Sequence, residues 1–121
     1  MKPFLSVVIP IYNEEANIPL LWERLSRVLQ EHFDAHDKPW EVIFTDDGSK
    51  DRSLKLLVDL AKTEPRIKVV EFNRNYGQHA AIFGAFAEVE GQAIVTLDAD
   101  LQNPPEEIPK LVALLEEGFD V

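Results

Sequence analysis

Residues 98–102 read Asp98-Ala99-Asp100-Leu101-Gln102. Side chains alternate along an extended chain, so Asp98 and Asp100 would share one face, and Gln102 would continue it if the chain stayed extended. Two carboxylates and an amide oxygen are hard donors suited to Mg²⁺ or Mn²⁺. An ion held by so few protein groups keeps coordination positions free for a diphosphate. A second acid pair, Asp46-Asp47, runs into Gly48-Ser49-Lys50-Asp51. Adjacent carboxylates repel each other unless something binds them. They could accept hydrogen bonds from the N–H groups of a nucleobase or from a ribose hydroxyl, and Gly48 would permit a tight turn or a close approach. The plainer reading of that segment is turn and cap chemistry, with Ser49 or Asp51 as the N-cap.

Two further segments carry polar groups. In Pro10-Ile11-Tyr12-Asn13-Glu14-Glu15, Tyr12 could stack on a flat base, and Asn13 and Glu14 could bond a ribose or a base edge. In Asn73-Arg74-Asn75-Tyr76-Gly77-Gln78-His79, the Arg74 guanidinium is suited to a phosphate, with a surface ion pair as the plainer alternative. His79 reads as a solvated or capping residue.

The elements that must position these groups alternate along the chain. Residues 4–12, 40–45, 67–72 and 93–97 are short runs rich in β-branched and aromatic residues and read as strands. Residues 17–32 place Ile18, Leu21, Trp22, Leu25, Val28 and Leu29 at helical spacing. Residues 51–62 repeat the pattern with Leu54, Leu57, Val58, Leu60 and Ala61. Residues 78–89 are small and apolar enough for a helix packed closely on a sheet. A helix over 106–117 is expected, with Pro104-Pro105 opening it, Glu106 and Glu107 in its first turn, and Gly118 as its C′ cap. Residues 34–39 read as a loop. Alternating continuous apolar strands and helices predict an α/β fold, with a mostly parallel sheet sandwiched by helices and right-handed crossovers. Ligands of such sheets bind beyond the carboxyl ends of the strands, which is where all four polar segments fall.

The 121 residues suit one domain. The absence of cysteine excludes disulfides and thiolate metal sites. No apolar run approaches the roughly 18 residues of a membrane span, and no signal-peptide pattern opens the chain, so a soluble domain is expected. Residues 1–87 carry 13 acids against 11 lysines and arginines, whereas residues 88–121 carry 9 acids against Lys110 alone. An acidic segment repels nucleic acid and anionic lipid unless a cation intervenes, so no nucleic-acid partner is expected.

Together, Val8-Ile9-Pro10-Ile11-Tyr12-Asn13-Glu14-Glu15, Asp46-Asp47-Gly48-Ser49-Lys50-Asp51, Asn73-Arg74-Asn75-Tyr76-Gly77 and Asp98-Ala99-Asp100-Leu101-Gln102 resemble, in order and over nearly the whole chain, a family 2 glycosyltransferase with the GT-A fold. The stretches 74–81 and 98–109 are similar to those of the polyprenyl-phosphate sugar transferases, most of all those acting on undecaprenyl phosphate in lipid A modification. The resemblance implies the Rossmann-like nucleotide-binding half of that fold. It implies that Pro10, Tyr12 and Glu14 line a nucleotide pocket, and that Asp46 or Asp47 recognises the base or ribose, a choice it leaves open. It further implies that Asp98 lies beside the nucleotide sugar, that Asp100 with Gln102 holds Mg²⁺ or Mn²⁺ on the diphosphate, and that Arg74 meets developing phosphate charge. The implied reaction is an inverting transfer from a UDP-sugar to a polyprenyl phosphate. The full-length protein would work at the cytoplasmic face of the inner membrane, held there by C-terminal segments. Transfer to a saccharide hydroxyl, or a non-catalytic domain of the same fold, are the alternatives. Phe119-Asp120-Val121 reads as the opening of a fifth strand, so residues 1–121 are expected to be the N-terminal part of a longer catalytic domain, with weak nucleotide binding and little activity on their own.

Two rivals from other classes meet specific obstacles. A phosphoreceiver domain wants an aspartate ending strand three and a lysine ending a later strand, but strand three ends in Phe72-Asn73-Arg74. A nicotinamide-binding module wants Gly-x-Gly-x-x-Gly after strand one, but Tyr12 to Asn17 contains no glycine.

Overall fold

The computed structural model describes residues 2–118; the expected fifth strand at 119–121 lies outside the described residues. Strands and helices alternate: β1 (Leu5–Ile11), α1 (Ile18–His32), β2 (Trp40–Asp46), α2 (Ser53–Thr63), β3 (Ile67–Glu71), α3 (Gln78–Phe86), β4 (Ala93–Thr96) and α4 (Ile108–Glu116). All strand pairs are parallel, in the order β3-β2-β1-β4.

The central strands are buried on both faces, which is why they read as unbroken apolar runs. Leu5, Val7, Ile9 and Ile11 of β1 join Val42 and Phe44 of β2 in the larger core, against Leu21, Leu25 and Leu29 of α1, Leu57 of α2, and Ile108 and Val112 of α4. Val8 and Ile43 point the other way, onto Ala85 of α3. Burying one such aliphatic side chain contributes about 2 kcal/mol. The α3 helix can lie close to the sheet because its contact residues are small. A β-carbon on Gly84 would stand 2.6 Å from the Phe72 ring. Phe83 and Phe86 on α3 and Ile94 on β4 remain exposed.

Several local expectations are revised. Residues 34–39 are not wholly irregular: Asp34–His36 forms a 3-10 turn. The last helix begins later than expected. Pro105–Glu107 forms a separate 3-10 turn, with Glu107 N–H bonded to Pro104 C=O at 3.0 Å, so Glu106 and Glu107 precede α4 rather than fill its first turn. Glu106 instead pairs with Arg24 on α1. Gly118 has φ 93 and donates to Leu115 C=O at 3.1 Å, the geometry of a C′ cap. On α2, Val58 is exposed and Leu56 packs against the core instead. The α3 helix stops at Phe86 rather than at residue 89.

The opposite end of the sheet is held by a buried polar network. Ser6 Oγ donates to Glu41 Oε2 at 2.6 Å, Glu90 N–H donates to the same oxygen at 2.7 Å, and Gly91 N–H donates to Ser6 Oγ at 2.9 Å. Lys68 Nζ lies 2.9 Å from Glu41 Oε1. Burial pushes the Glu41 carboxyl up, but Ser6, the Glu90 N–H and Lys68 outweigh it and hold it below its ordinary 4.5. A depressed carboxyl stabilises the fold at pH above its unfolded value, and that stability is lost as pH falls through the folded value. Wild type is therefore expected to lose urea resistance below about pH 4.5, whereas Glu41→Gln loses its share at every pH and shows a flatter profile. Urea midpoints between pH 7 and pH 3 check this; parallel profiles for the two proteins would refute it.

Candidate functional site

The carboxyl ends of the strands open onto one crevice of about 440 Å³. Pro10, Ile11, Tyr12 and Glu14 line it from the end of β1, and Asp47 from the end of β2. Asn75, Gly77 and Gln78 line it from the approach to α3, and Asp98, Ala99, Asp100 and Gln102 from the segment after β4.

The walls are tied to one another through hydrogen bonds. Asp47 N–H donates to Ile11 C=O at 2.8 Å, extending the β1–β2 pairing past the strand ends. Asn13, with φ 52, turns the chain. Its N–H donates to Ser49 Oγ at 2.9 Å and its side-chain oxygen accepts from Lys50 N–H at 2.8 Å. Glu14 N–H donates to Ser53 Oγ at 2.8 Å. Asp51 accepts from Ser53 N–H at 2.8 Å and from Glu15 N–H at 3.2 Å. Its burial works against ionisation, yet the Ser53 hydroxyl and these N–H groups hold the carboxyl below its ordinary value. Neither expected residue is the N-cap of α2, which is Arg52; Asp51 accepts from Ser53 N–H from one position earlier, while Ser49 braces the neighbouring loop.

The adjacent acids at the end of β2 part company. Asp47, only 3 % exposed, faces the crevice. Its Oδ1 accepts from Tyr76 N–H at 2.8 Å and its Oδ2 from Gly77 N–H at 2.9 Å. Asp46, 2 % exposed, lines a neighbouring hollow with Lys50, Glu71 and Arg74. Its Oδ2 accepts from Ser49 N–H at 3.3 Å, and its Oδ1 has no hydrogen-bond partner among the described residues. Arg74 therefore stands beside the crevice rather than in it, with its Nε bonded to the Tyr76 hydroxyl at 3.1 Å. Tyr12 and Asn75 form the wall between the two spaces.

Asp98 and Asp100 both reach the crevice, but not by sharing a strand face. Strand β4 ends at Thr96, and the chain then turns, with Leu101 at φ 65 and its N–H 3.4 Å from Asp98 C=O. Asp100 Oδ1 accepts from Gln102 N–H at 3.1 Å, and Asp98 Oδ1 accepts from Gln78 Nε2 at 2.9 Å. Asn75, Gly77 and Gln78 were not singled out from the sequence as crevice residues. The sequence predicts segment 73–79 at a ligand-facing strand end, with a role in it for Arg74 alone.

Four carboxylates, Glu14, Asp47, Asp98 and Asp100, line the crevice with no lysine or arginine among the lining residues. An anionic diphosphate could enter such a space only together with a cation. Among the described residues no cluster of three or more His, Cys, Asp or Glu is placed to hold a metal ion. The Asp100 carboxylate and Gln102 amide fit a hard divalent ion that takes its remaining oxygens from a diphosphate and water.

Known proteins are similar to this chain in sequence and in fold. The model of Glycosyl transferase family 2 matches residues 6–121. The undecaprenyl-phosphate 4-deoxy-4-formamido-L-arabinose transferase of Pectobacterium carotovorum is 52% identical over 118 residues, which is 97% of this chain and 35% of the relative. Its counterpart in Salmonella choleraesuis is 50% identical over the same span. The chain thus covers about a third of the length of these curated relatives. Among solved structures, S. aureus TarS 1-349 in complex with UDP-GlcNAc superimposes with a TM-score of 0.71 at 26% identity, covering 97% of this chain and 32% of that one. The mannosyltransferase PcManGT from Pyrobaculum calidifontis, in complex with GDP-Man and Mn²⁺, gives 0.71 at 27% identity, covering 95% of this chain and 33% of that one. The parallel sheet with helices on both faces is therefore the Rossmann-like half of a GT-A fold, and the chain belongs to glycosyl transferase family 2.

Proposed function

We propose that this chain is the donor-binding part of a longer inverting glycosyltransferase, one that moves a sugar from a UDP-linked donor to a polyprenyl phosphate such as undecaprenyl phosphate. The observation that carries the reading is the meeting of Asp47, Asp98 and Asp100 with Pro10, Tyr12 and Glu14 in one crevice devoid of lysine and arginine. The names of the relatives support the acceptor, and the nucleotide sugars bound by the structural neighbours support the donor.

In this reading Tyr12 and Pro10 flank the base, and Asp47 rather than Asp46 reads it. A carboxylate oxygen has a second lone pair, so the contacts to Tyr76 and Gly77 do not exhaust Asp47 as an acceptor. Glu14 takes the ribose side, Asp98 lies beside the nucleotide sugar at its diphosphate, and Asp100 with Gln102 holds the ion. Mg²⁺ or Mn²⁺ bound there would offset the negative charge that builds on the nucleotide diphosphate. A phosphate acceptor is already anionic near neutral pH, so attack on the sugar needs no general base from the chain. Among the described residues no helix is long and apolar enough to cross a membrane. In this reading the lipid-borne acceptor is met at the cytoplasmic face of the inner membrane.

NMR-monitored titration of the isotope-labelled chain, which detects even millimolar binding, tests this. UDP is expected to shift amides around Tyr12, Asp47 and Asp98, with at least about tenfold weaker affinity when Mg²⁺ is omitted, a difference of about 1.4 kcal/mol. Asp100→Ala is expected to remove the Mg²⁺ dependence. Equal responses to UDP, GDP and CDP, regardless of metal, would sink the proposal.

A further inference from the structure

The residue that joins the two ends of the crevice is Gln78. It is the first residue of α3 and directly follows Tyr76 and Gly77, whose N–H groups are both held by Asp47. Its own side chain crosses to the segment after β4 and donates from Nε2 to Asp98 Oδ1 at 2.9 Å. A continuous line of contacts thus runs from the end of β2, through residues 76–78, to the end of β4. The backbone at residue 77 carries φ 99, a conformation that glycine adopts without penalty.

We propose that Gln78 is a positioning residue that sets Asp98 for the metal-bound diphosphate, and so ties the base side of the crevice to its diphosphate side. This rests on the nucleotide-sugar reading above. The physical reason lies in what an amide can do. A carboxylate amid three others in one crevice has no cation to orient it. A neutral N–H donor fixes one of its oxygens without competing for the ion, as a lysine or arginine would by charge. The other oxygen is then left facing the crevice. The cost of a free Asp98 rotor falls on the step in which the ion and the diphosphate are engaged together, whereas base contacts at Asp47 and Tyr12 are untouched. Gln78 is exposed, so a substitution there disturbs little packing.

The test compares wild type with Gln78→Met, which keeps the length and helix preference but removes the donor, and with Gln78→Asn, which keeps an amide but withdraws it by one methylene. UDP affinity is measured by NMR titration with and without Mg²⁺, alongside thermal melting. The expected result is that both variants bind UDP in the absence of metal as wild type does, and lose most of the roughly tenfold gain that Mg²⁺ brings. If the gain survives in both variants, the positioning role is overturned while the nucleotide-sugar reading stands. If affinity falls by the same factor with and without metal, Gln78 acts only on local structure and the proposal is again overturned. If wild type itself shows no metal-dependent UDP binding, the functional reading fails, and this proposal with it.

Discussion

Gly48→Ala is expected to destabilise the fold by about 3 kcal/mol and to displace the wall between the crevice and its neighbouring hollow. Gly48 has φ 75, a region that costs a residue with a β-carbon about 1–2 kcal/mol. The steric problem adds to this. A β-carbon there would stand 2.4 Å from the carbonyl carbon of Arg74 and 2.6 Å from the nitrogen of Asn75. Both are backbone atoms and cannot rotate away, so the segment before α3 must move as a whole. Asn75 lines both spaces, and Tyr76 and Gly77 are held by Asp47 next door, so the displacement reaches the proposed base site. Gly77→Ala is the control. At φ 99 and ψ 160 it sits in an extended region essentially reserved for glycine, but nothing lies within 4 Å of its β-carbon. Its cost should therefore be the backbone penalty alone, about 1–3 kcal/mol, with no displacement of neighbouring backbone. Urea unfolding of both variants, with amide shifts of residues 73–77, measures the difference. A Gly48→Ala cost of only about 1–2 kcal/mol, the backbone penalty by itself, would show that the close approach carries no energetic weight.

The second large effect is expected from Asp47→Ala. Two N–H···carboxylate bonds are lost at a residue that is 97% hidden from solvent by its 3% exposure. Each hydrogen bond to a charged group contributes about 1.5–3 kcal/mol. Tyr76 is exposed, so water can take up part of the loss, and the total should come near the low end, about 3 kcal/mol. The local signature is sharper than the global one. Amide exchange at Tyr76 and Gly77 should accelerate strongly, while exchange in β1 and β2 changes only with overall stability. UDP affinity should fall at least about tenfold, because the base contact and the loop that frames it go together. Unchanged exchange at residues 76 and 77 would mean that the clamp does not hold the segment in solution. Asp46→Ala provides the contrast, since Asp46 faces the other hollow and its loss should spare UDP binding.

Much of this was legible in the residues themselves, for reasons that are local. The continuous apolar runs at 4–12, 40–45 and 67–72, and the helical stripes of α1 and α2, are short-range patterns that report directly which backbone buries its apolar side, and the strands fall within a residue of them. The misplacements are local as well, and each has its cause. The 3-10 turn at Pro105–Glu107 delays α4 because Pro109, near the start of α4, has no N–H to join a longer helical ladder. Asp98 and Asp100 reach the same space through a turn rather than an extended run, because residues 98–101 fold back with Leu101 N–H 3.4 Å from Asp98 C=O, a turn that no period-two pattern reveals.

The chain by itself determined the alternation of elements, the parallel sheet and the acid-rich strand ends, because hydrophobic periodicity and turn chemistry act over a few neighbouring residues. Only the tertiary structure decided which acid of the Asp46-Asp47 pair enters the crevice, that Arg74 stands outside it, and that Gln78 reaches Asp98. Successive side chains of a strand point to opposite sides, so the outcome for adjacent aspartates depends on the pairing of β2 between β1 and β3, with Asp46 opposite Ile11 and Glu71. That register is set by residues distant in the chain, and no local pattern contains it.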